Sequence, residues 1–157
     1  MDSSITNHQK NVATVIQISV FSKIVIPLGN FIVPIVLWAI NKEKSSFIDN
    51  HGKQAINFQL SILIYHIVLG IAGVSLFAFN IGNIWDVYDN AIHSNYFSFE
   101  NFHVGNRNFF QTIILGCLFI GLKVLELVCV ISAAIKANRG EYYQFPLSIN
   151  FLKFINQ

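Results

Sequence analysis

Apolar positions gather into three long stretches, at 11–41, 55–79 and 109–137, with polar intervals between them. The second, "AINFQLSILIYHIVLGIAGVSLFAF", and the third, opening "FFQTIILGCLFIGLKVLELVCVISAAI", each exceed the ~20 residues that cross a hydrocarbon core. With no water to satisfy peptide groups there, helices are the expected form. The first stretch is more than a bilayer core needs: about 30 helical residues would span ~45 Å. It is interrupted by Pro27, Gly29 and Pro34. Proline removes a donor and clashes with the preceding turn, so a break is expected at Pro27–Gly29. Two topologies fit: one tilted, kinked helix, or two helices of about 14 residues, by the same rise, that dip in and out on one side. The expected fold is therefore an all-α integral membrane protein, a single domain over 1–157. It has three to four membrane helices and a short interfacial C-terminal segment within a tail at 138–157.

Composition agrees with a lipid solvent. Hydrophobic residues make up 54% of the 157 residues and charged residues 11%, against roughly 25% charged in soluble domains. A net charge of +2 on dispersed basic residues leaves no nucleic-acid footprint. Cys117 and Cys129 fall in one expected helix, about 18 Å apart along its axis. That is beyond disulfide reach, and no zinc spacing is present. The polar N-terminus, "MDSSITNHQK", lacks a signal-peptide pattern, so the first stretch is expected to be an uncleaved anchor.

Basic residues set the expected orientation. Lys42, Lys44 and Lys53 lie between the first two stretches, and Lys136, Arg139 and Lys153 follow the third. Both segments are expected on the cytoplasmic side of the inner membrane. The interval 81–108, with Arg107 against Asp86, Asp89 and Glu100, is expected outside as a loop. The N-terminus lies outside if the first stretch crosses and inside if it re-enters, and Lys10 counts toward inside. Trp85, Tyr88, Tyr96, Phe97, Phe99 and Phe102 make the external loop aromatic, as an interfacial belt would be.

Two blocks, "IPLGNFIVPIVLWAINKEKSSFIDNHGKQAINFQLSILIY" and "AAIKANRGEYYQFPLSINFLK", cover about half the chain. They resemble a family of small bacterial membrane proteins similar to the twenty-kilodalton subunit of the chloroplast inner-envelope protein import translocon (Tic-twenty-like). The matching positions are Pro27, Gly29, Asn30, Pro34, Trp38, His51, Gly52, Asn57, Phe58, Gln59, Lys136, Asn138, Gly140, Glu141, Tyr142, Tyr143 and Pro146. The resemblance implies a small helical membrane protein and, more distantly, a part in protein translocation. It brings no catalytic residues, since likeness of fold does not carry function.

Polar groups inside the stretches are the candidate chemistry, because they are costly in lipid. Measured along helices from Lys53 and Lys136, His66 and Lys123 each lie ~20 Å deep and Glu126 ~15 Å deep. A mid-membrane cluster of His66, Lys123 and Glu126 is expected, joined by Lys23 if the first stretch folds that way. Lys123 and Glu126, three apart, can pair. Gln59, His66, Gly70 and Gly73 share a helix face, and the glycines allow close helix approach.

Nearer the surface, His51, Lys53, Asn57, Gln59, Asn138 and Glu141 are expected to form one polar layer. In it Asn50 caps the helix, Gly52 allows a tight approach to the bilayer and Glu141 pairs with Lys53. Asn57 or Gln59 would satisfy backbone groups freed by Pro34. Enzyme motifs are absent: no GxSxG, HExxH, P-loop or dinucleotide glycine pattern occurs.

The expectation is a non-enzymatic membrane component without a cofactor. Its partners would be the bilayer and either a membrane-protein partner or a second copy. The competing class is a small oligomeric or proton-coupled transporter using the mid-membrane cluster.

Overall fold

The structure, a computed structural model, describes residues 5–93 and 100–152. Side chains are described except at 79–87, 89–91, 93 and 100–109. Among the described residues every regular element is helical. α1 (Asn7–Ile18) runs into a 3-10 segment (Ser19–Ile24), then come α2 (Gly29–Asn41), a 3-10 turn (Lys42–Lys44), α3 (Ser46–His93) and α4 (Glu100–Arg139). Ser46–Ala78 and Phe110–Arg139 are long and apolar enough to cross a membrane.

The first stretch is broken where proline predicts, over Val25–Leu28, with α2 starting at Gly29. Ser22 O accepts from the N–H groups of both Val25 and Ile26. Leu28 is left-handed at φ 60°. A Cβ on Gly29 would stand 2.7 Å from Ser22 Oγ, so glycine is what allows the turn to close on itself.

Two expectations about element ends are corrected. Ser45, not Asn50, begins α3: its Oγ accepts from Phe47 N–H at 3.2 Å and its carbonyl from Asp49 N–H at 3.0 Å. Asn50 lies inside the helix. The interval 81–108, expected as a loop, is helical to His93 and again from Glu100. No proline occurs between Pro34 and Pro146 to stop it. Tyr88 is exposed. Tyr96, Phe97, Phe99 and the side chains of Trp85, Asp86, Asp89, Glu100 and Phe102 lie outside the described residues.

The chain divides into two compact units, one of residues 1–63 with 124–157 and one of residues 64–123. In the first, α1 buries Ala13, Ile16 and Gln17, and the 3-10 segment after it buries Val20. Ala13 packs with Phe47 and Ala137, and Ile16 with Ile48 and Ala55. α3 is enclosed on nearly every side from His51 to Ile62. α4 presents Glu126, Cys129, Val130, Ala133, Ala134 and Ala137 as its buried face. Gly140, at φ 83°, ends α4 in a Schellman arrangement: its N–H reaches Ala137 O, and Glu141 N–H reaches Lys136 O at 2.9 Å.

In the second unit none of the described side chains is buried. Gly70, Gly73, Gly116 and Gly121 have nothing within 4 Å of an added Cβ. The glycines therefore do not bring helices into close contact in this unit. Instead Gly70, Gly73 and Gly116 line an apolar groove of about 370 Å³ with Thr112 and Phe119.

Candidate functional site

Among the described residues the buried polar side chains are Gln17, His51, Gln54, Asn57, Gln59, Ser61 and Glu126, and all belong to the first unit. Their partners show what each does.

His51 is fully buried between α1 and the segment after α4. Its Nε2 faces the Glu141 carbonyl at 3.1 Å. A carbonyl only accepts, so Nε2 carries the proton and Nδ1 keeps a lone pair. The Gln17 amide nitrogen donates to that Nδ1 at 3.3 Å and to the His51 carbonyl at 3.0 Å. Turning the amide over would set its oxygen against two acceptors. Gln17 Oε1 consequently has no hydrogen-bond partner among the described residues. Phe47 lies at 4.5 Å from the imidazole, tilted, and Tyr142 stacks on it at 6.2 Å. One ring thus ties three chain segments together.

Asn57 and Ser61 hold the tail. Asn57 Nδ2 donates to Leu152 O at 3.1 Å, and Asn57 Oδ1 accepts from Leu152 N–H at 2.8 Å. The carboxamide pairs with both main-chain groups of one residue, as a neighbouring strand would. Ser61 Oγ accepts from Ile149 N–H at 2.8 Å and donates to Asn57 O at 2.8 Å. Phe145 stacks on Phe58 at 4.3 Å, fixing the tail's approach. Burial pushes the Tyr143 phenol above its ordinary value of 10.0, with the Cys129 thiol adding to the rise. Tyr143 is therefore a neutral donor at ordinary pH.

Gln59 accepts from Asn30 Nδ2 at 3.1 Å and so links α3 to α2. Its own Nε2 is buried without a partner among the described residues. The expected role beside Pro34 is replaced by this side-chain bridge, and Asn57 is taken up by the tail.

Lys53 pairs with Asp49 at 2.6 Å, whereas Glu141 pairs with Lys136 at 3.3 Å. The expected Lys53–Glu141 pair gives way because each residue has an opposite charge close along its own chain segment. Asp49 also accepts from Trp38 Nε1 at 2.9 Å. Trp38 lies over Gly52, where a Cβ would come within 2.1 Å of its Cδ1. Gly52 therefore admits an indole, in place of the approach to the bilayer expected of it. Asn138 is exposed on α4.

Of the mid-membrane candidates, Lys23 and Glu126 meet at 2.5 Å, with Glu126 only 2% exposed. His66 sits edge-on to Phe119 at 4.9 Å, and the Lys123 ammonium lies 5.7 Å from the same ring. These four belong to different units as two pairs, Lys23 with Glu126 and His66 with Lys123. Gln17 and Ser61 were not foreseen. Gln17 carries a signal, a lone amide on an otherwise apolar helix stripe. Ser61 follows Asn57 by one helical turn.

Among the described residues no group of three or more His, Cys, Asp or Glu side chains could hold a metal. Most of the buried polar groups bind other segments of the same chain, as His51, Asn57, Gln59 and Glu126 do. Such an arrangement, with two helices fit to cross a bilayer, is that of a small helical membrane protein. A model of the magnetosome magnetite crystal formation protein family (MamF/MmsF) matches residues 8–152, and the chain belongs to that family. No curated protein and no solved structure matches it. The resemblance to the translocon subunit receives no support from these comparisons. The residues that carried it, such as Gly52, Asn57 and Gly140, have packing and hydrogen-bonding duties within this chain.

Proposed function

We propose that this chain is a non-enzymatic integral membrane component of the machinery that forms magnetite crystals in magnetosome membranes. It acts through helix contacts with a partner membrane protein or a second copy. The family match across residues 8–152 carries this reading. The structure supports it with a unit, residues 64–123, whose described side chains are all at least partly exposed. Exposed Ile67, Ile71, Val74 and Phe77 offer apolar surface to lipid or to another helix.

Its test is complementation in a magnetosome-forming host deleted for its own members of this family. Electron microscopy would measure crystal size. The reading expects the wild-type chain to shift the size distribution toward that of the intact host. An unchanged distribution, with the chain present in magnetosome membranes, would overturn it.

The Lys23–Glu126 pair favours a second reading, a proton-coupled carrier. Under it, Glu126→Gln abolishes transport in proteoliposomes while leaving the fold intact. Transport by neither form removes that reading.

A further inference from the structure

An open apolar groove of about 470 Å³ runs between α1 and the last turns of α4, within the range of small-molecule sites. Val130 and Ala134 form its buried floor, and Ile18, Phe21 and Ile135 form its walls. From Val130 to Arg139 it follows α4 for about 13 Å. Its mouth is different in character, with Thr14, Asn138 and Arg139 gathered there. Lys10 lies one turn before Thr14, and its carbonyl accepts from the Thr14 hydroxyl at 2.8 Å. The Lys10 side chain crosses Gly140, with Cε 2.9 Å and Nζ 3.5 Å from where a Cβ would stand.

Two cations therefore stand at one end of an apolar trough. Neither Lys10 nor Arg139 makes an ion pair with another described residue. The acid beside them, Glu141, is engaged by Lys136. We propose that this groove binds an anionic phospholipid, one acyl chain along Val130 and Ala134 and the phosphate held by Arg139 and Lys10.

Charge complementarity selects this occupant. A guanidinium matches phosphate oxygens in a two-point geometry, and basic pockets between membrane helices take acidic headgroups. An apolar helix seated in the trough would instead leave two cations facing it without counter-charge. Arg139 also closes the stretch Phe110–Arg139 that is fit to cross the membrane. That position sets the mouth at headgroup level.

The experiment uses the full chain in detergent with equal amounts of dioleoyl phosphatidylglycerol and dioleoyl phosphatidylcholine, read by native mass spectrometry. One phosphatidylglycerol is retained in preference. Arg139→Gln and Lys10→Gln each reduce that preference about five-fold, the worth of one basic residue at an anionic surface. Ala134→Phe fills the trough and lowers retention of both lipids without touching the charges. Circular dichroism checks that each variant is folded.

Equal retention of the two lipids overturns the proposal. So does a preference that survives all three substitutions. Displacement of the lipid by excess inorganic phosphate alone assigns the cations to a soluble anion, and a dimer without bound lipid assigns the groove to a second copy. Either result also overturns it.

Discussion

The two units of this chain place similar residues in opposite circumstances, and glycine shows it most simply. In the first unit an added Cβ at Gly52 would meet Trp38 at 2.1 Å, whereas at Gly73 in the second it would meet nothing within 4 Å. Among the described residues the first unit buries seven polar side chains, from Gln17 to Glu126. The second has none buried among its described residues. α3 and α4 contribute residues to both units. Along α3 the more polar end, "HGKQAINFQLS", is enclosed as protein core, while the apolar continuation is exposed. What changes is whether other segments of the chain enclose it. Where they do, buried polar groups need partners, because each unpaired one costs about 1–3 kcal/mol.

Breaking the first unit should cost most. Gly52→Ala forces the Trp38 ring away from Asp49 and should cost about 3 kcal/mol, in the range for overpacked sites. Thermal unfolding in detergent would measure it. Lys23→Met leaves the buried Glu126 carboxylate without this partner. Loss of one member of a buried pair costs about 3–5 kcal/mol. Because the Lys23 side chain is 31% exposed, solvent screening lowers the expected loss to about 2–3 kcal/mol. Lys23→Met with Glu126→Met should recover most of it. Asn57→Ala strips Leu152 of both main-chain partners and should cost about 2 kcal/mol. The tail beyond Pro146 should then be cut faster in limited proteolysis.

Leu28→Gly sharpens the comparison in the other direction. Leu28 holds φ 60° and is 66% exposed. Relieving that left-handed strain should stabilise by about 1 kcal/mol. Gly73→Ala, in the second unit, should change stability by no more than about 0.5 kcal/mol. A loss at Gly73 as large as at Gly52 would erase the distinction between the units.

Much of this was legible where the physics is local. The proline break and the all-helical class follow from short-range rules. The spacing pairs Glu126 with Lys123 and brings in Lys23 only if the first stretch folds toward them, so the Lys23–Glu126 contact, between residues 103 apart, rests on where the broken stretch lands. Other features depend on where distant segments land. The residue that Gly52 accommodates is Trp38, in another helix, and Asn57's partner lies 95 residues on. Nothing in "QAINFQLS" says that its asparagine will clasp a backbone rather than cap a helix. Glu141 was assigned to Lys53 by proximity of blocks, but Lys136 is nearer along the chain.

On the proposed function the buried polar groups of the first unit serve the chain itself, while the exposed helices of the second unit meet other molecules. Site-specific photo-crosslinking in magnetosome membranes tests it directly, with the probe at Asn57 or at Phe77, buried and exposed respectively. The account predicts adducts within the same chain from Asn57, and adducts to another protein or a second copy from Phe77. Adducts to another protein from Asn57, with only lipid captured at Phe77, would contradict it.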